Sequence, residues 1–330
     1  MKFHLCKKLS ITTIILFIIS FSLQAKDLIV STSASVGSLQ YNTTKHFVDI
    51  TNEKLSAAKL DYQLKFFGSG QLGSDKDTQQ KLKLGTIDIA LLSSTLATNI
   101  PQMAIFELPF LITNRRQLIE IEEQVFYPYI APEAEKKGYK VIGLWENGFR
   151  NITNNVRPIT KPEDLKGLKI RTPNSSWRLK MFKEWGANPT PLPFGDVFIG
   201  LRTGVIDGQE NPLTNIYAAK LQEVQKYLSI TNHVYSPSYL TVGVNSYKKL
   251  PQEVKNIIEL SSKETQSWAY KEAEKSDTEL IKKLIASGML LNEVDTASFI
   301  EASKPIYQEF ISSVPNGKVL LDKTQEVIKP

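Results

Sequence analysis

The chain has 330 residues, with 40 Lys and Arg against 34 Asp and Glu, a formal net charge of +6 and a single cysteine. Its charges are scattered rather than blocked into basic runs, which argues against a nucleic-acid partner, and one cysteine excludes a disulfide framework. The length suits two domains, large enough to bury a core without covalent staples.

Lys2, Lys7 and Lys8 precede a short apolar run over residues 11–21, and Leu23-Gln24-Ala25 places a small residue ahead of Lys26-Asp27. That order is the one expected of a secretory signal peptide. The apolar run is shorter than the roughly 20 residues a membrane span requires. Cleavage after Ala25, with residues 1–25 as the leader, would give an exported, periplasmic protein. It removes Cys6, so no thiol remains, and it leaves 37 basic against 34 acidic residues, a net charge of +3.

Strand-like and helical runs then alternate, which predicts α/β architecture. Residues 28–32 read as a strand, 40–57 as a helix and 62–67 as a second strand that ends in a Gly-rich loop, 68–73. A helix over 75–84 and a strand over 87–92 follow. Lys83-Leu84-Gly85-Thr86-Ile87-Asp88 is echoed by Arg202-Thr203-Gly204-Val205-Ile206-Asp207. In both copies a glycine suited to the left-handed conformation closes a helix and a strand follows. The echo predicts the same helix-to-strand unit in each of two lobes, with a ligand cleft between them.

Further along, residues 141–145 read as a strand followed by a turn at Gly148, and residues 213–227 as a helix with Asn211 as N-cap and Pro212 at its first position. The N-terminus of that helix would also offer free N–H groups to an anion. Residues 251–287, closed by Gly288, carry Val254, Ile257, Ile258, Trp268, Leu280, Ile281, Leu284 and Ile285 at helical spacing. Unbroken, such a helix would be roughly 55 Å long and would serve both lobes as a spine. A break near Lys275-Ser276-Asp277 is the alternative.

Residues fit for catalysis are sparse. Two histidines, His46 and His233, remain beyond the leader, without neighbours at metal-ligand spacing. His46 sits in a helical pattern as a surface or partly packed residue, and His233 suits a structural hydrogen bond. There is no G-x-S-x-G elbow and no P-loop. The expectation is a binding protein with no cofactor and no metal.

The arginines are more informative. Only seven occur against 33 lysines, yet Arg150, Arg157, Arg171 and Arg178 crowd one stretch. A guanidinium presents a planar fork that grips a carboxylate in two parallel bonds, whereas an ammonium is a point charge. Arg171 closes the short strand Leu168-Lys169-Ile170-Arg171, and ligands in open α/β sheets collect at the carboxyl ends of strands. Arg150 follows its own strand. Ordinary surface arginines are the alternative.

Asn147-Gly148-Phe149-Arg150, the run from Asp164 to Asn174 containing Lys169-Ile170-Arg171-Thr172-Pro173-Asn174, and Asp207-Gly208-Gln209-Glu210-Asn211-Pro212 together resemble one family. It is the solute-binding proteins of tripartite ATP-independent periplasmic (TRAP) transporters, of the dicarboxylate-binding type. Gln71-Leu72-Gly73 and the run from Gly186 to Pro191 fit as well, and the likeness covers nearly the whole mature chain.

The resemblance implies a two-lobed periplasmic-binding-protein fold with a cleft between the lobes, two crossings and a long spine helix. Residues 26–147 with about 236–275 would form one lobe, and 148–235 with about 276–330 the other. Arg171 would be the main carboxylate clamp, Arg150 and Asn211 further carboxylate contacts, and Phe194 would pack on the ligand. Ser33, Asp75, Ser93 and Glu210 match the rest of the pocket. Sialic-acid binders carry glutamate where this chain has Ser93 and asparagine where it has Ser33, which argues against that solute. The likeness points first to uronates and related sugar acids, then to C4-dicarboxylates. The partners implied are a small carboxylate solute and integral membrane TRAP permease subunits. A sensor-associated binding protein, or a periplasmic sugar-acid hydrolase or isomerase using Asp75 and Glu210, are the competing readings.

Overall fold

The structure, a computed structural model, describes residues 25–329. The leader expected over residues 1–25 therefore falls outside it, but for Ala25. Ten strands run β1 (Lys26–Thr32), β2 (Tyr62–Phe67), β3 (Ile89–Leu92), β4 (Tyr139–Asn154), β5 (Lys169–Thr172), β6 (Asn188–Pro191), β7 (Gly208–Pro212), β8 (Tyr227–Ser229), β9 (Tyr235–Gly243) and β10 (Leu290–Asn292). The α-helices are α1 (Leu39–Ala57), α2 (Asp75–Leu84), α3 (Arg115–Ile121), α4 (Ala131–Lys136), α5 (Ser176–Glu184) and α6 (Val197–Arg202). They continue with α7 (Leu213–Ala218), α8 (Val244–Lys249), α9 (Gln252–Ala286), α10 (Thr296–Ala302), α11 (Lys304–Ser313) and α12 (Gly317–Val327).

Two α/β lobes share two long strands. In the first lobe β1 lies between β2 and β3, parallel to both, and β3 pairs antiparallel with β9. In the second, β5 lies parallel to β6 and β7, and β7 pairs antiparallel with the far half of β4. β4 and β9 run antiparallel side by side from Tyr139↔Gly243 to Phe149↔Tyr235, so both cross between the lobes.

The internal echo is closer than sequence alone reveals. Gly85 and Gly204 both take left-handed φ, 74° and 73°, as a helix-ending glycine should. Asp88 Oδ2 then accepts from Ile29 N at 2.8 Å, and Asp207 Oδ2 accepts from Lys169 N at 2.8 Å. Each Ile-Asp aspartate thus ties its strand to the neighbouring parallel strand, β3 to β1 and β7 to β5.

α9 is continuous; the alternative of a break at 275–277 does not occur. Its first half places Val254 and Ile258 in a core with Phe47, Leu64 and Trp145. Its second half places Leu280 and Leu284 in a separate core with Leu201, Ile216 and Leu228. One helix is therefore seated in both lobes. Between those anchors its inner face is small, with Ser261, Ser262, Thr265, Ala269 and Ala273 buried, and it lies close on β4. Trp145 Nε1 donates to Ser262 O at 3.1 Å, and Ser262 Oγ donates back to Ile142 O at 2.9 Å. The C-terminal helices divide: Phe299 of α10 joins the core around Leu165 and Phe182, while Ile306, Phe310 and Leu320 join the one around Leu118 and Phe126.

Three local expectations need correction. The strand expected over 141–145 is one 16-residue strand that passes straight through Gly148. Gly148 sits at φ 124°, beside a register shift in the pairing with β9, so it bends the crossing strand instead of ending it. The helix expected over 213–227 stops at Ala218, followed by a short 3-10 turn and then β8. Asn211 is not its cap: Asn211 and Pro212 belong to β7, where Asn211 pairs with Asn151.

Candidate functional site

Most of the cleft between the lobes is lined by residues at or just beyond the carboxyl ends of parallel strands, the place where open α/β sheets gather ligands. Ser33 follows β1 and Ser93 follows β3; Arg171 to Asn174 close β5, Leu192 to Phe194 follow β6, and Asn211 lies near the end of β7. Arg150 reaches the same space from β4. Asp75 arrives differently, as the first residue of α2, fixed by a capping box in which Ser74 and Asp77 satisfy each other's backbone N–H.

Ser33, Asp75, Ser93, Arg150, Arg171, Phe194 and Asn211 thus come together around one space. Glu210 does not line it. Its carboxylate is fully buried behind Arg150, because alternation along β7 turns it away from the cleft side occupied by Asn211.

Arg171 is the most unusual group. It is 3 % exposed, and its Nε and Nη2 donate to Leu192 O at 2.8 and 2.6 Å. The Phe194 ring lies 5.8 Å from its guanidinium carbon. Among the described residues it forms no ion pair. Burial pushes it down to about 9, the Glu210 charge working the other way. A buried cation without a carboxylate partner is costly on its own, and an anion in the cleft supplies what the protein does not.

Arg150 is handled in the opposite way. Its Nε and Nη2 donate to the Glu210 carboxylate, and Nη2 also reaches Glu210 O at 2.7 Å and Asn211 Oδ1 at 3.2 Å. Glu210 also faces Arg178 at 3.6 Å and His233 Nε2 at 3.1 Å. Burial alone would raise the Glu210 carboxyl, but the Arg150 and Arg178 charges hold it well below the usual carboxylate range. Burial pushes His233 down to about 4, against the pull of Glu210, so at neutral pH it is an uncharged hydrogen-bonding group. Arg178 in turn donates to Glu107 of the first lobe at 3.0 Å. Behind the cleft, Glu210, Arg150, Arg178, His233 and Glu107 thus form one buried charge network, in which Arg178 Nε and Nη1 make no hydrogen bond among the described residues.

The opposite wall is built from hydroxyls around one carboxyl. Asp75 accepts from Ser33, from Ser93 at 3.1 Å and from Thr95 at 3.4 Å. Burial raises its pKa, offset by those hydrogen bonds and by the Arg171 charge. Sequence reasoning missed the floor: Gln40, Asn147 and Asn215 also line the cleft. Asn147 stood inside the Asn-Gly-Phe-Arg motif, but nothing in the spacing brings Gln40 or Asn215 to it, since they lie 107 and 68 residues away. Of the remaining arginines, Arg157 braces a loop by donating to Asp164 O and Lys166 O, both at 2.7 Å. His46 stacks on Trp268 with ring centroids 4.6 Å apart. No three potential metal ligands cluster among the described residues.

Residues 30–313 match the family described as bacterial extracellular solute-binding protein, family 7. The chain is 33 % identical over 309 residues, 93 % of each protein, to the 2,3-diketo-L-gulonate-binding periplasmic protein YiaO of Escherichia coli K12. It is 33 % identical over 292 residues to the sialic acid-binding periplasmic protein SiaP of Vibrio cholerae, covering 88 % of this chain and 89 % of that one. Among solved structures, a TRAP periplasmic solute-binding protein from Polaromonas sp. JS666 bound to D-erythronate superposes with a TM-score of 0.87 at 28 % identity, covering 92 % of this chain and all of that one. These relatives are receptors rather than enzymes. With its two crossing strands, its spine helix and its arginine-lined cleft, the chain belongs to the family 7 solute-binding proteins, the periplasmic receptors of TRAP transport that capture small carboxylates.

Proposed function

We propose that the protein, exported by cleavage after Ala25, captures a sugar acid with one carboxylate and several hydroxyls and hands it to TRAP membrane permease subunits. The observation that carries this reading is the buried, unpaired Arg171 facing a wall of hydroxyls across the cleft. The carboxylate seats on Arg171, with Arg150 and Asn211 as further donors, and Phe194 covers it. Ser33, Ser93 and the carboxyl of Asp75 meet the hydroxylated end, where a hydroxyl can donate to Asp75. Glu210 acts from behind by holding Arg150. The lobes are 26–147 with about 236–275 and 148–235 with about 276–330, α11 and α12 packing back on the first.

The charge balance supports a monoacid over a C4-dicarboxylate. A second carboxylate would meet Asp75 and its serines, and among the described residues the one cation lining that side is Lys76, which is exposed. Among the relatives' solutes, erythronate, diketogulonate and sialic acid are polyoxygenated acids, while a relative from Sulfurospirillum deleyianum holds succinate. A hydrolase or isomerase would need an acid–base pair, and Glu210 is committed to its arginines.

A thermal-shift screen of residues 26–330 tests this, with aldonates, uronates, succinate, sialic acid and neutral sugars. A ligand at 100 times its Kd stabilises by about 2.7 kcal/mol. The expected result is a shift with one or more sugar acids and none with the matching neutral sugar. A larger shift with succinate, or equal shifts with acid and neutral sugar, would overturn the assignment.

A further inference from the structure

The floor of the cleft holds three side-chain amides from three different elements: Gln40 on α1, Asn147 on the crossing strand β4 and Asn215 on α7. All are more than nine-tenths buried. Their hydrogen bonds run in one direction. Asn215 Nδ2 donates to Gln40 Oε1 at 3.3 Å and to Asn147 Oδ1 at 3.2 Å, while Gln40 Nε2 donates to Ser238 Oγ at 2.7 Å. Ser238 belongs to β9, the other crossing strand, so the chain of amides is anchored at both crossings.

This arrangement fixes which way Asn147 points. Its oxygen is taken by Asn215, so its Nδ2 is the end left over, and among the described residues that group donates to nothing. An amide N–H₂ has two protons to place, and Nδ2 is not one of the fully enclosed polar atoms that lack a partner, so its open side can be reached from outside. Asn147 lines the cleft, so the acceptor it lacks is one that enters from there. It stands three residues before Arg150 on β4, and Gly148 bends the strand between them.

Resting on the sugar-acid reading above, we infer that Asn147 is a specificity-determining residue, which donates through Nδ2 to one hydroxyl or oxo oxygen of the solute and is held in that orientation by Asn215 and Gln40. The carboxylate is not its target; Arg171 and Arg150 already offer the charged donors for that group. The chemistry it selects is an oxygen at a defined carbon, so a deoxy analogue leaves both protons unplaced. Sites built to hydrogen-bond a substrate oxygen discriminate strongly against analogues that lack it.

The test is calorimetric titration of the mature protein and of Asn147→Ala with galactonate, gulonate and erythronate, and with the 2-deoxy and 3-deoxy forms of galactonate. In the native protein one deoxy form should bind at least about tenfold more weakly than its parent. In Asn147→Ala that difference should disappear, while the parent acid falls to the level of the deoxy form. Equal weakening of every acid with the deoxy penalty intact would mean that Asn147 serves the carboxylate or the fold, and would overturn the inference. Should Asn147→Ala fail to fold, Asn215→Ala takes its place; it keeps the Asn147 amide but frees it to rotate, and an unchanged deoxy penalty would be equally fatal. If the native protein binds none of the three sugar acids, the sugar-acid reading itself fails and this inference falls with it.

Discussion

Arg171 and Arg150 are both buried at the cleft, but one is paired and the other is not, and substitution should separate them. Arg171→Ala would remove the charge-assisted partner of a buried carboxylate, so the solute's Kd should rise by at least about thirtyfold, about 2–5 kcal/mol. Because Arg171 forms no ion pair among the described residues, the ligand-free variant should unfold at the same denaturant concentration as the native protein or a higher one. Arg171→Lys should bind almost as poorly, since an ammonium cannot reproduce the fork. Near-normal binding by either would remove Arg171 as the clamp. Glu210→Gln should behave in reverse, leaving Arg150 and Arg178 with one carboxylate fewer and lowering the stability of the ligand-free protein by about 3–5 kcal/mol in urea. Its neighbour His233 gives a pH signature. Its pKa is pushed down from 6.5 to about 4 on folding, so between those values the unfolded chain binds the extra proton and stability rises with pH, by up to about 1.4 kcal/mol per unit. Glu146, raised to about 7 by burial, works in the opposite direction over much of that range. The quantity to measure is therefore the difference in slope between the native protein and His233→Gln from pH 4 to 6.5; no difference would mean that His233 is not held neutral by the fold. Sequence alone marked Arg171, Arg150 and Glu210, because the residue types and their places in the motifs are distinctive. It did not separate clamp from counter-ion, since that depends on which face of β7 turns to the cleft.

At the scale of elements, the sequence displayed periodic features well and long-range ones poorly. The strands and helices from β1 to β3, the helix-closing glycines and the spine all follow from local pattern and capping chemistry. The misjudged segments are those where tertiary contacts overrule local signals. Residues 219–227 belong to the helix expected from sequence, yet Tyr227 to Ser229 pair with both β4 and β10, and those partners lie more than 60 residues away. Gly148 is a turn residue by type, but β9 and β7 continue the pairing on either side of it. Its positive φ makes a prediction. In Gly148→Ala the new Cβ would lie 3.3 Å from Pro212 Cβ, on a backbone conformation that L side chains rarely adopt. Such strain costs on the order of 1–3 kcal/mol, to be read as a lower urea midpoint with unchanged m-value. A loss below about 0.5 kcal/mol would mean that the crossing strand relaxes there and does not need the glycine's bend.

For the molecule as a whole, the question is what the solute does to the relation between the lobes. The first lobe contributes Ser33, Asp75 and Ser93, and the second contributes Arg171, Phe194 and Asn211, so neither can enclose an acid alone. Contacts made to both walls at once exist only when the lobes approach, and that differential affinity is what drives closure. α9 is seated in both cores, so the motion has to be taken up along its length and in β4 and β9 instead of at a loose linker. Among these, the Arg115 tie joins Glu146 of β4 to Asp277 of α9, where the helix leaves the first lobe. Since residues 26–330 contain no cysteine, spin labels can be placed cleanly in that segment at Leu84→Cys and Val205→Cys, two exposed positions beside the echoed glycines of the two lobes. A saturating sugar acid should shift the distance distribution between these labels to a single narrower population. The same labels in an Arg171→Ala background should show no shift at that concentration, because without the clamp the solute has nothing to hold on the second lobe. A shift that persists in that background would mean that closure is driven by the hydroxyl wall alone, and the order of events would have to be reversed, with the first lobe receiving the solute and the arginine side closing last.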